Sequence, residues 1–315
     1  MPTRIGIVMD HVSGINPEKD TSLALMLAAQ DAGATLYHMV IDDLAVESGK
    51  AFAIAQEITV FDTLENWFTL KPPQKIALGE LDIIIMRKDP PVDKRFIHAC
   101  YILEQAEKDG AFVTNAPASL VSLNEKIFAT HFPDLCPPTL ITANKKMLRE
   151  FFDAHGKIII KPLDSMGGDG VFMLDQGDVN FDVVWETQSQ RGTYPMIAQA
   201  FLPSITEGDR RVVIINGKPF DHVMVRTPKP GSIRGNMAAG GDYAIRPIND
   251  MERKIAERVG PTLMERGVIF SGIDIIGDRL IEINITSPTG LRQISKGCGE
   301  NVSALVMQAM LEARV

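Results

Sequence analysis

Three oxygen-bearing side chains interrupt an otherwise apolar β pattern near the C-terminal end, in Ser271-Gly-Ile-Asp-Ile-Ile-Gly-Asp-Arg-Leu-Ile-Glu-Ile-Asn-Ile-Thr-Ser-Pro-Thr289. Side chains alternate along a strand, so Glu282 and Asn284 share one face while Ile281, Ile283 and Ile285 share the other, toward a core. If Gly277-Asp278-Arg279 is a three-residue hairpin loop, with Gly277 supplying a positive φ, Asp274 falls opposite Glu282 and the three oxygens converge. A two-residue loop would send Asp274 to the other face. Two carboxylates and an amide oxygen, with no His or Cys beside them, suit a hard cation such as Mg2+ that keeps positions for water and substrate phosphates. The competing reading is the solvated face of an amphipathic hairpin, and spacing alone leaves both open.

Other clusters suit anions. Lys161 ends an apolar strand and precedes Gly167, Gly168 and Gly170, so an ammonium and backbone N–H groups could cradle a polyphosphate; a plain hairpin tip is the alternative. Arg211, at the start of a strand, is expected to aim at the same pocket, where a guanidinium neutralises charge on a transferring phosphoryl group, with Arg210 turned to solvent. The long segment 226–242, with Arg226, Lys229 and Arg234 among its glycines, reads either as a lid that keeps water from a hydrolysable intermediate or as a surface loop with incidental charges. Arg87 and Lys88 follow an apolar strand beside Pro90-Pro91, placed to hold a carboxylate or to form an ordinary turn.

Positioning these groups requires a large core, and 315 residues at 45% hydrophobic allow one, divided into two or three domains. The N-terminal apolar run stops at Asp10 and His11, so neither a signal peptide nor a membrane span fits, and a cytoplasmic location is expected. Cys100, Cys136 and Cys298 are far apart and in no paired motif, which argues for reduced thiols and against a disulfide framework or a zinc site. The histidines are equally dispersed. A formal charge of −8 disfavours nucleic acid and anionic membranes as partners but leaves small anions open.

Strands are expected at Arg4–Met9, Leu36–Ile41, Leu81–Met86 and Ala111–Thr114, with helices over Thr21–Asp31 and Phe96–Lys108; the region around Trp67 shows no clear element. This alternation implies a mainly parallel sheet with ligands at the carboxyl ends of its strands. Neither Gly-x-Gly-x-x-Gly after the first strand nor a P-loop anywhere is present. Ser119–Phe132 reads as one helix and Pro137-Pro138 as a boundary. Beyond it come a helix at Lys145–His155, strands at Lys157–Lys161, Val171–Leu174 and Met196–Leu202, and a helical stretch near Val179–Gln190. A hairpin, Arg211–Ile215 with Phe220–Arg226, turns at Asn216-Gly217, and amphipathic helices cover Met251–Arg266 and Asn301–Arg314.

Taken together, Asn124-Glu-Lys126, Lys161-Pro-Leu-Asp with its Gly-Gly loop, Asp209-Arg-Arg211, Arg234-Gly-Asn-x-Ala-Ala-Gly-Gly241 and Asp274…Glu282-x-Asn284-x-Thr-Ser-Pro288 resemble the ATP-grasp ligases, and most closely the prokaryotic glutathione synthetases. The resemblance runs over essentially the whole chain, including Ile5–Asp10 and Met86–Pro91. It implies an α/β fold, α+β in the C-terminal half, with an N-terminal Rossmann-like preATP-grasp domain at 1–122 and a two-part ATP-grasp fold at 123–203 and 204–315. It implies ligation of γ-glutamylcysteine to glycine through an acyl phosphate, with ATP as co-substrate and two Mg2+ ions, replaceable by Mn2+. By position, Lys126, Lys161, Gly167 and Gly168 would hold phosphates, the backbone of Gln199, Ala200, Phe201 and Leu202 would meet adenine, and Asp209 the ribose. Asp274, Glu282 and Asn284 would carry metal, Asn284 also meeting ATP. Arg211, Lys161 and Arg234 would act in catalysis, and Lys19, Arg87, Arg226, Ser287, Thr289 and Arg292 would bind the other substrates. A cytoplasmic homotetramer without nucleic-acid or membrane partners is the family expectation. The alternatives are a related carboxylate–amine ligase with other substrates and an ATP-binding regulatory protein without turnover.

Overall fold

The computed structural model describes residues 2–229, 231, 235 and 242–314. Three sheets form in chain order. The first is built on β1 (Arg4–Val8), β2 (Thr35–Met39), β3 (Leu44–Glu47), β4 (Lys50–Val60), β5 (Phe68–Leu70), β6 (Gln74–Ala77), β7 (Ile83–Met86) and β8 (Phe112–Thr114). Its spine runs β3-β4-β2-β1-β7-β8, with β1, β2, β7 and β8 parallel as the alternating pattern requires. The stretch around Trp67 is an antiparallel extension, in which the long β4 pairs with β2, β3, β5 and β6. Helix α1 (Thr21–Asp31) has the expected bounds because Asp20 caps it, accepting from the Leu23 N–H at 2.6 Å. Helix α2 (Lys94–Lys108) is capped likewise by Asp93.

The single helix expected over Ser119–Phe132 is two: α3 (Pro117–Ser122) and α4 (Glu125–Ala129). Leu123 is extended, and Asn124 starts a new helix by accepting from the N–H groups of Lys126 and Ile127. A cap residue inside an apolar run thus outweighs the run's helical periodicity.

The second sheet, in order β11-β10-β12-β9, comprises β9 (Thr139–Thr142), β10 (Ile158–Pro162), β11 (Phe172–Leu174) and β12 (Met196–Ala200), all antiparallel. With α5 (Lys145–His155) and α6 (Phe181–Gln188) it closes its own core around Phe152, Ile158, Ile160, Phe181 and Met196. The third sheet runs β15-β14-β13-β16-β17, from β13 (Asp209–Ile215), β14 (Lys218–Thr227), β15 (Asp242–Pro247), β16 (Phe270–Ile276) and β17 (Arg279–Asn284). Asn216 and Gly217 both have positive φ, 49° and 72°, the type I′ signature expected of that dipeptide. Helix α7 (Asp250–Glu265) covers one face of this sheet, while α8 (Leu291–Cys298) and α9 (Val302–Ala313) return to pack against α1.

The first and third sheets share a core, since Val8 and Met86 belong to one apolar cluster with Val212, Ile273 and Ile283. Asn115 locks them together: its amide donates to the carbonyls of Phe270 and Ile285, both at 2.7 Å, and its oxygen accepts from Ile269 and Phe270. Buried amides with every partner satisfied specify an orientation as well as a contact. Cys100 and Cys136 are buried, and burial pushes their thiols up to about 12 and about 11. Among the described residues no helix is long and apolar enough to cross a membrane.

Candidate active site

All three sheets border one cleft of about 720 Å3. Asp274 lies directly across from Glu282, and Asn284 across from Gly272 one step further. The route to that register differs from the expected one. Ile276 pairs with Arg279, so the turn has two residues, with Gly277 at φ 61°, and a bulge between Leu280 and Glu282 restores the alignment. Ile281 is the extra residue. It therefore leaves the core face expected for it and lines the cleft, while Leu280, Ile283 and Ile285 stay in the core.

Around the two carboxylates and the amide sit the basic groups. Arg211 grips Asp274 through two nitrogens, Nε to Oδ1 at 2.5 Å and Nη2 to Oδ2 at 2.9 Å. Arg226 bonds Asp209 and approaches Asp274 at 3.0 Å. Burial opposes ionisation of Asp274, but these two guanidiniums outweigh it and hold the carboxyl well below the usual range. Asp209 goes the other way: burial pushes it up to about 6 against the pull of Arg226. Its Oδ1 is buried without a partner among the described residues. Arg210 is not turned to solvent; it faces α7, 3.7 Å from buried Glu252.

Lys126 donates to the Ser165 carbonyl at 2.5 Å and stands 3.5 Å from Glu282. Lys161 donates to Gln199 Oε1 at 3.1 Å, and burial lowers its pKa against the attraction of Glu282. Gly167, Gly168, Gln199, Ala200, Phe201 and Leu202 line the same cleft, and Ile159, Val171, Ile205 and Ile276 give it an apolar wall. From the loops that follow β1 and β7 come Lys19 and Arg87, met by Ser287 and Thr289. Arg292 is not brought to the cleft lining; it pairs with Asp62. Lys88 is tied to Asp10 at 3.0 Å. Arg234 and most of the expected lid, 230, 232–234 and 236–241, lie outside the described residues.

Sequence reasoning passed over Glu125 and Asp20. Glu125 Oε1 accepts from Ile285 N–H at 2.8 Å and Thr286 N–H at 2.9 Å, fixing the backbone immediately after Asn284. Its sequence signals are an acid in the first turn of a short helix and its place within Asn124-Glu-Lys126, neither of which gives it a role.

Residues 3–120 match the N-terminal domain, and residues 125–299 the ATP-grasp domain, of the family described as prokaryotic glutathione synthetase. The chain belongs to that family. It is 46% identical to the glutathione synthetase of Pseudomonas syringae pv. tomato over 317 residues, covering 100% of this chain and 99% of the relative. It is also 46% identical to that of Escherichia coli (strain K12) over 312 residues, covering 99% and 98%. Among solved structures, D-cycloserine synthetase DcsG superposes with a TM-score of 0.72 at 12% identity, covering 99% of this chain and 100% of that one. The ATP-grasp ligase PsnB with its minimal precursor gives 0.65 at 16%, covering 99% and 100%. At such identities these two speak for the fold.

A prokaryotic glutathione synthetase uses ATP and a divalent cation. The donor set suits such an ion. Asn284 donates its amide nitrogen toward Asp274 Oδ2 at 3.3 Å, which leaves its oxygen, with the Glu282 carboxylate, for a hard cation.

Proposed function

We propose that this ligase joins the cysteinyl carboxylate of γ-glutamylcysteine to the amine of glycine, giving glutathione, ADP and phosphate through an acyl phosphate. The observation that carries the reading is the convergence, in one cleft, of Lys126 and Lys161, of two carboxylates with an amide, and of three arginines in a chain related to glutathione synthetases over its whole length.

The assignments follow from charge and position. Lys126 and Lys161 hold the ATP phosphates beside the Gly167-Gly168 loop. The base lies along Gln199–Leu202 against the apolar wall, and the orphaned Asp209 oxygen is an acceptor for a ribose hydroxyl. Glu282 and Asn284 would hold Mg2+, with Asp274 beside them, two ions by family resemblance and exchangeable for Mn2+, and the metal would neutralise charge developing on the phosphates. Arg226 and Arg87 orient the dipeptide so that its cysteinyl carboxylate oxygen meets the γ-phosphorus, ADP leaving as the bond forms. Arg211 steadies the acyl phosphate. The glycine amine, near Ser287 and Thr289, then attacks the acyl carbon, and phosphate departs with the amine losing a proton. No enzyme nucleophile is required. The division into 1–122, 123–203 and 204–315, the homotetramer and the cytoplasmic location belong to the same reading.

Phosphate release with ATP, Mg2+ and γ-glutamylcysteine, with and without glycine, tests it. Glycine-dependent release with a product of glutathione mass is expected; release only with another amine, or none, overturns the substrate assignment.

A further inference from the structure

Arg87 and Asp20 bring opposite charges to the cleft at a distance from the phosphate-binding lysines. Arg87, only 5% exposed, commits Nε to Ser22 Oγ at 3.0 Å and Nη1 to the Pro288 carbonyl at 3.1 Å, which leaves Nη2. Asp20 lines the same cleft, half-buried at the start of α1, and forms no salt bridge among the described residues. The two charges sense one another. Burial pushes the Asp20 carboxyl up, partly offset by the Leu23 N–H and then by Arg87; burial lowers Arg87, partly offset by Asp20.

The spacing fits a dipeptide. Arg87 holds the Pro288 carbonyl, and Arg211 reaches the next one, Thr289, at 3.4 Å. Two guanidiniums on neighbouring carbonyls lie within reach of the two ends of one γ-linked dipeptide, whose two carboxylates stand about 8–9 Å apart when it is extended. If the reacting carboxylate lies by Arg211, the far end of the substrate falls by Arg87. In γ-glutamylcysteine that end is a zwitterion, with the α-carboxylate and α-ammonium on one carbon. A carboxylate without a cation and a guanidinium with an uncommitted nitrogen complement it. Of the other acids in this part of the cleft, Asp10 is neutralised by Lys88 and Asp89 is exposed.

We propose that Asp20 receives the α-ammonium of the γ-glutamyl residue while Arg87 receives its α-carboxylate, making a free α-amine a requirement for efficient turnover. The inference rests on the function proposed above and names a specificity-determining residue for it.

Asp20→Asn keeps the helix cap, because Asn caps as well as Asp. The test measures kcat/KM for γ-glutamylcysteine and for glutarylcysteine, the same molecule without its α-amino group, with ATP and glycine saturating. Wild type should prefer the amine-bearing substrate by roughly 10- to 100-fold, the worth of one charge-assisted hydrogen bond. Asp20→Asn should abolish most of that preference by losing activity on γ-glutamylcysteine alone. A wild type without preference, or a variant that loses equally on both substrates, overturns the assignment. Preference kept by Asp20→Asn and lost by Asp89→Asn moves it to Asp89. A wild type active on neither substrate with glycine refutes the function beneath it instead.

Discussion

Asp274 faces Glu282 across a hairpin that turns on only two residues, and the alignment survives because β17 carries Ile281 as an extra residue. The bulge keeps the carboxylates together and turns an apolar side chain into the cleft beside them. These two consequences are separable by kinetics. Ile281→Ala should raise KM for ATP roughly 5- to 30-fold, the ~1–2 kcal/mol expected for trimming a buried apolar contact, with kcat nearly unchanged. Glu282→Ala should instead lower kcat by orders of magnitude in a folded protein. The same kinetic signature from both variants would show that the apolar contact of Ile281 does not act separately from the carboxylates beside it.

How much of this was legible follows from where the information lies. The bounds of α1 and α5 coincide with Thr21–Asp31 and Lys145–His155 because local groups set them: Asp20 and Asn144 cap the starts, and Gly156, at φ 70°, ends the second. The Asn216-Gly217 turn was legible for the same reason. The bulge was not, since a period-2 pattern carries no mark of one inserted residue. Alternation puts Arg210 on the face opposite Arg211, where solvent is expected; α7, far along the chain, covers that face. β5, β6, β9 and β15 are short or peripheral strands whose pairing is decided by partners elsewhere, and β9 follows directly on the prolines read as a boundary. The residue types of the site were thus visible, whereas Glu125, defined by contacts 160 residues away, was not.

Glu125 offers the next test, as a positioning residue. Its carboxylate satisfies two buried N–H groups next to Asn284. Glu125→Ala orphans both, at about 1–3 kcal/mol each, and should lower Tm by several degrees together with kcat. Glu125→Gln retains a carbonyl acceptor and should recover most of the stability. Thermal unfolding of the pair checks this; an alanine variant melting with wild type would sink it.

Asp209 and Asp274 should leave opposite marks on the pH dependence of stability. Burial, reinforced by the charge of Asp274, raises Asp209 from 3.8 to about 6. A raised carboxyl favours the protonated fold, so its contribution is complete below 3.8 and is lost as pH rises through about 6. Asp274, held low by Arg211 and Arg226 despite its burial, contributes above 3.8 and loses that contribution as pH falls further. The unfolding free-energy difference between wild type and Asp209→Asn should therefore shift against wild type between about pH 4.5 and 7. Denaturant titrations at the two pH values decide it; a level Asp209→Asn difference contradicts the shift.

The type I′ turn at Asn216-Gly217 also makes a stability prediction whose sign separates two effects. The turn sits on α7 at Gly260, where a Cβ would stand 1.9 Å from the Gly217 carbonyl oxygen. Neither backbone can easily retreat, because Ile215 and Lys218 are paired across the turn and α7 is anchored by buried Ile255, Val259 and Leu263. Helix propensity alone would make Gly260→Ala stabilising by about 1 kcal/mol. The backbone clash opposes it and, with helix and sheet forced apart, should cost about 3 kcal/mol or more. Chemical denaturation should therefore show a lowered midpoint for Gly260→Ala. A raised midpoint would mean that the helix can slide away from the turn and that the contact does not fix α7 on the third sheet.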